Sequence, residues 1–150
     1  MSLQQEVMEQ MKAAMKARDS VSLESLRAIK SAILLAQTEK SAGTVLSEEE
    51  EIKLLQRLVK QRKDSAAIYT EQGRDDLAGP ELAQMAVIEK FLPEQLSEEE
   101  IAAVVNIVIA ETGASGMKDM GKVMALATGK LAGKADGKTI SGIVRSRLNQ

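Results

Sequence analysis

The segment SEEEEIKLLQRLVKQRKDSAAIYTEQ, residues 47–72, decides the fold class. Its apolar residues Ile52, Leu55, Leu58, Val59, Ala66 and Tyr69 recur at helical spacing, which gathers them on one stripe of an α-helix and would split them between both faces of a strand. The start is chemically marked. Ser47 caps the backbone while Glu50 reaches back to the Ser47 N–H, and Glu48 to Glu51 place negative charge at the positive end of the helix dipole. The opposite face carries Lys53, Arg57, Lys60, Lys63 and Asp64. Glu49–Lys53 and Lys60–Asp64 are i,i+4 pairs worth only tenths of a kcal/mol, so this face reads as solvated helix, with a cationic contact face as the alternative.

The same period extends in both directions, and no run alternates as a strand would. The chain is therefore predicted to be all-α. Toward the N-terminus, a helix over about 2–18 aligns Leu3, Val7, Met11, Ala14 and Met15. A second, over about 21–41, aligns Leu26, Ile29, Ile33 and Ala36 and stops at a C-cap at Ala42-Gly43. Toward the C-terminus, a fourth helix follows the turn GRDD, with Pro80 at its first helical position after Gly79, and ends at FLP, where Pro93 forbids continuation. SEEE then recurs at 97–100, with Ser97 and Glu100 forming a second capping box ahead of Ile101–Glu111. Gly113 closes that helix. A short helix at about 116–127 and a last one at about 138–148, with Ile140, Ile143, Val144 and Leu148 inward, complete the set. This gives a four-helix N-terminal bundle over 1–92 and a three-helix C-terminal domain over 93–150.

At 150 residues the chain is long enough to bury a core, because a domain of this size hides roughly two-thirds of its unfolded surface. It has no cysteine and no histidine. Disulfides, thiolate nucleophiles, sulfur-bound metals, histidine triads and the usual neutral-pH general base are all excluded. Clusters of carboxylates remain as potential acid/base groups, but Glu48–Glu51 and Glu98–Glu100 are accounted for by helix starts. No cofactor or metal site is expected. The longest nearly uncharged apolar run, IAAVVNIVIA (101–110), is about half of what a bilayer span requires. A soluble, cytoplasmic protein is expected, without membrane association. The methionines Met8, Met11, Met15, Met117, Met120 and Met124, at helical spacing, are expected in cores, as are Tyr69 and Phe91; an adaptable partner-binding face is the other use of such methionines.

Charge is unevenly spread. The net charge is −2, yet from residue 113 onward seven cations (Lys118, Lys122, Lys130, Lys134, Lys138, Arg145, Arg147) face only Asp119 and Asp136. Four of the lysines follow glycine, at Gly121, Gly129, Gly133 and Gly137. GKADGKT (133–139) approaches a phosphate-binding loop but is one residue short of G-x-x-x-x-G-K-[ST] and lacks a preceding strand. Two readings of the pairs stay open. Glycines beside helix starts let a phosphate backbone approach while Lys138 and Arg145, seven apart, share one exposed side; or the glycines, with Asp136 or Gly137 starting the last helix, only punctuate it among solvated lysines. Arg147 falls near the apolar stripe.

KQRKDSAAIYTEQGRDDLA (60–78), FLPEQLSEEEI (91–101), DMGKVM (119–124) and GKADGKTISGIVRSRL (133–148) together resemble the GatB/YqeY family over nearly the whole chain. Ala78-Gly79-Pro80 and Thr128-Gly129 depart from the family's helix-favouring pattern. The resemblance implies a stand-alone relative of the tail domain of the B subunit of glutamine-dependent tRNA amidotransferase. It further implies a tRNA-associated region around Gly121-Lys122 and 133–138. A binding role is thereby carried to Lys122, Lys134 and Lys138, and to Lys118, Lys130 and Arg145, with Gly121, Gly133, Asp136 and Gly137 shaping the backbone. The catalytic part of that subunit has no counterpart here, so a carbon–nitrogen ligase label with glutamine as amido donor would attach by homology alone. The expectation is a non-catalytic module for tRNA or another structured RNA, not DNA, with docking on a translation-related protein as the alternative. With so few aromatics, RNA recognition would act through backbone shape and charge.

Overall fold

The computed structural model describes residues 1–41 and 43–149. These residues form seven α-helices and no strand, in the order α1 (Leu3–Ala17), α2 (Ser20–Lys40), α3 (Glu48–Glu71), α4 (Asp75–Glu89), α5 (Glu98–Thr112), α6 (Met120–Lys130) and α7 (Gly137–Leu148), with a 3-10 turn at Met117–Asp119 before α6. The chain divides into two compact units, Met1–Leu92 and Pro93–Gln150.

In the first unit, α1 starts at a capping box made by Ser2 and Gln5. It ends at Arg18, whose φ of 53° is left-handed, and Asp19 immediately caps α2 by accepting from the Ser22 N–H at 3.1 Å. That junction turns the chain sharply without a glycine. Ser47 and Glu50 form the predicted reciprocal cap of α3. Val7, Leu26, Ile29, Leu55 and Ile88 are almost fully enclosed and, with Leu54, form the centre of one core. A polar chain crosses three helices beside it. Arg62 Nε donates to Gln84 Oε1 at 3.1 Å, and Gln84 Nε2 donates to Glu24 Oε2 at 3.2 Å.

Helix α4 differs from its predicted start. It begins at Asp75, so Pro80 lies inside it and is not its first helical residue. The N–H groups of Leu77 and Ala78 both reach the Arg74 carbonyl at 3.0 Å, and the carboxylates of Asp75 and Asp76 favour the helix start. These acids open the helix before Gly79-Pro80 can interrupt it, and Pro80 costs one intrahelical bond. Helix α2 ends at Lys40 and Gly43 has φ 84°; the other half of the expected cap, Ala42, lies outside the described residues. The methionine expectation is corrected in part. Met8, Met15 and Met117 are exposed, whereas Met11, Met120 and Met124 pack against cores. Tyr69 and Phe91 are half-buried.

In the second unit, Ser97 and Glu100 make the second capping box. Gly113, with φ 67°, ends α5. Ile101, Val105 and Val108 of α5 meet Val123 and Ala127 of α6, Leu131, and Ile140, Val144 and Leu148 of α7 in a separate core. Thr128 and Gly129 remain inside α6, which they were expected to loosen.

Candidate nucleic-acid interface

The connection from α6 to α7 is fixed by residues from both its own segment and the chain entering α5. Gly133 adopts φ 77°, a left-handed conformation that reverses the chain. The Lys134 N–H donates to the Leu131 carbonyl at 2.9 Å, while the Lys134 carbonyl accepts from the Leu96 N–H at 2.9 Å. Beside it, Gln95 Nε2 donates to the carbonyls of Gly133, at 2.7 Å, and Pro93, at 2.8 Å. Asp136 then caps α7, accepting from the Thr139 N–H at 2.6 Å. These bonds tie the turn to the chain entering α5, and the side chains of Lys134 and Lys138 are exposed.

The four Gly-Lys pairs thereby acquire places. Gly121-Lys122 lies in the first turn of α6, Gly129-Lys130 in its last, Gly133-Lys134 in the connecting turn and Gly137-Lys138 in the first turn of α7. Lys118 stands on the preceding 3-10 turn. Arg145 stands two turns along α7 from Lys138, on its exposed side. All six cations are exposed, as is Arg147. Lys130 is drawn into an ion pair with Glu111 at 3.1 Å, which tethers α6 to α5. At Gly121 and Gly137 an added Cβ would meet nothing within 4 Å.

The resemblance of 133–139 to a phosphate loop ends at the chemistry of the helix start. A phosphate loop leaves its backbone N–H groups open to an anion; here the Asp136 carboxylate already takes the Thr139 N–H. An anionic ligand would meet the lysine side chains around this turn, at a helix end where the Asp136 carboxylate already occupies the Thr139 N–H. Among the described residues no group of three or more acidic side chains is arranged to hold a metal ion. Nor is any single helix among them long and apolar enough to cross a membrane.

Gln95 has no local signal in the sequence. Its partner lies 38 residues away, and only the three-dimensional meeting of FLPEQLSEEEI with GKADGKT reveals the contact.

A family model described as Yqey-like protein matches residues 4–148. The chain belongs to the YqeY-like family. A 75-residue segment of this family member is 36% identical to the E subunit of glutamyl-tRNA(Gln) amidotransferase from Thermococcus gammatolerans. The match covers 47% of the chain and only 12% of that relative, so most of the relative's length has no counterpart in it.

Proposed function

We propose that the chain is a non-catalytic accessory module of the cytoplasm that binds tRNA through its C-terminal unit, with residues 1–92 and 93–150 acting as a four-helix and a three-helix domain. The observation that carries this reading is the set of exposed cations on α6, its following turn and α7. Lys122, Lys134, Lys138 and Arg145 form no ion pair among the described residues. Similarity to an amidotransferase component whose name includes tRNA supports the choice of polyanion. Contacts would be to phosphates, through charge, with little reading of bases.

Fluorescence anisotropy with labelled bulk tRNA at several salt concentrations tests the proposal. Wild-type affinity is expected to fall with salt, and replacing Lys122, Lys134, Lys138 and Arg145 together by Ala is expected to make the log–log slope shallower by about three. Absence of binding by the wild type at low salt defeats it.

A second reading, docking of a translation-related protein, is favoured by a groove of about 440 Å³ between α2 and α3, where Ala32, Leu35, Ala36, Leu54 and Leu58 lie beside the charged Glu39, Lys40, Glu50, Lys53 and Arg57. Leu35 is 62% exposed there. Recovery of the same partner from lysate after RNase treatment would favour that reading; loss of all partners on RNase treatment would count against it.

A further inference from the structure

Gln95 sits two residues beyond Pro93, and its side-chain amide donates to two backbone carbonyls. Because carbonyl oxygens only accept, the amide nitrogen must be the atom that faces them, so the orientation of this side chain is set by chemistry. One of the two acceptors is the left-handed Gly133; the adjacent residue, Lys134, is held through its own carbonyl by the Leu96 N–H. Two consecutive residues of the α5 approach therefore grip two consecutive residues of the basic turn. Gly133 itself is buried, whereas Lys134 is exposed. The grip acts on backbone and leaves the cationic side chain outside.

We propose that Gln95 is a positioning residue for polyanion binding: by bridging the Pro93 and Gly133 carbonyls it fixes the turn that presents Lys134 and Lys138 to phosphates. The inference rests on the tRNA-binding reading above. Gln95 touches no phosphate and adds no charge. It acts by removing alternative courses of the turn, so that binding need not spend free energy on ordering two lysines already held at their backbones. Replacement by Met keeps the length and neutrality of the side chain and removes both donated bonds.

The test is the salt dependence of tRNA affinity for the wild type, Gln95→Met, Lys134→Ala and the Gln95→Met/Lys134→Ala double variant, with thermal unfolding of each measured in parallel. In Gln95→Met the slope is expected to become shallower by about one contact's worth, and affinity at 0.1 M salt to weaken by up to about eightfold, although no cation has been removed. In the Lys134→Ala background the same change should cost less than in the wild type, because only the Lys138 contact is left for the turn to position. Lys134→Ala keeps the backbone grip and serves as the folded reference if Gln95→Met lowers the melting temperature. A purely structural Gln95 would lower the melting temperature and leave the slope of the folded fraction unchanged, and that result overturns the positioning role alone. If the wild type shows no salt-dependent tRNA binding, the functional reading falls and the positioning role falls with it. Amide hydrogen exchange at Leu96 in the free protein supplies an independent check: unchanged exchange in Gln95→Met would mean that the amide does not hold the turn.

Discussion

At Asp136 one carboxylate has two opposed effects. It caps α7 by accepting from the Thr139 N–H at 2.6 Å, and it places a negative charge between Lys134 and Lys138. Asparagine caps helices about as well as aspartate, so Asp136→Asn separates the effects. The variant is expected to unfold within about 0.5 kcal/mol of the wild type and to bind tRNA several-fold more tightly, as anisotropy at low salt would show. A weaker affinity at unchanged stability would mean that the charge orients a cation needed for binding. Glu51 offers a pH test away from this region. Burial pushes its carboxyl above the ordinary glutamate range and Glu48 adds repulsion, while a hydrogen bond from the Leu3 backbone opposes both. A raised carboxyl holds its proton more tightly folded than unfolded, so the fold loses stability as pH rises through that range and keeps it below the ordinary pKa. Glu51→Gln should therefore melt higher than the wild type at pH 7, and the two curves should converge below about pH 4. A gap that persists in acid would place the effect outside ionisation.

The two serine-led capping boxes show what a helix start can declare by itself. Ser47 with Glu50 and Ser97 with Glu100 are local patterns, and both close as reciprocal bonds. Replacing Ser97 by Ala should cost about 1 kcal/mol, measurable by denaturant unfolding. Helix α4 shows where local reading fails. Gly79-Pro80 is strong punctuation, yet Arg74, Asp75 and Asp76 start the helix earlier and the buried Ala78 holds it. Pro80 is then a tolerated defect, and Pro80→Ala is expected to raise stability, by at most about 3 kcal/mol. If the variant is less stable, the proline ring makes a packing contribution larger than the missing bond. The cations on α6 and α7 were legible because exposure follows from helical position opposite Val123, Ile140 and Val144. Gln95 was not, since a bond spanning 38 residues leaves no periodic trace. The exposure of Met8, Met15 and Met117 is hidden in the sequence for a related reason: spacing gives a side chain's direction on its helix, and only the packed neighbours decide whether anything covers it.

Two separate cores, one built on Val7, Leu26, Ile29, Leu55 and Ile88 and the other on Val105, Val108, Val123, Ile140 and Val144, divide the stability of the whole molecule. The second belongs to the shorter unit, Pro93–Gln150, and a unit of that size buries a smaller fraction of its unfolded surface than a larger domain does. It therefore has less free energy to lose. Ile140 is 1% exposed at the centre of that core, and truncation of such a side chain to Ala removes about 2–5 kcal/mol, a large share of what a small domain possesses. The expected outcome of Ile140→Ala is loss of the helical signal of α5 to α7 at a temperature where α1 to α4 remain folded, together with loss of tRNA binding. Circular dichroism and amide exchange would resolve the two parts. A single cooperative transition that shifts as a whole would mean that the units unfold together. Retained salt-dependent tRNA binding after the C-terminal helices have melted would place the contact on the N-terminal unit, where α3 carries the exposed Lys53, Arg57, Lys60 and Lys63.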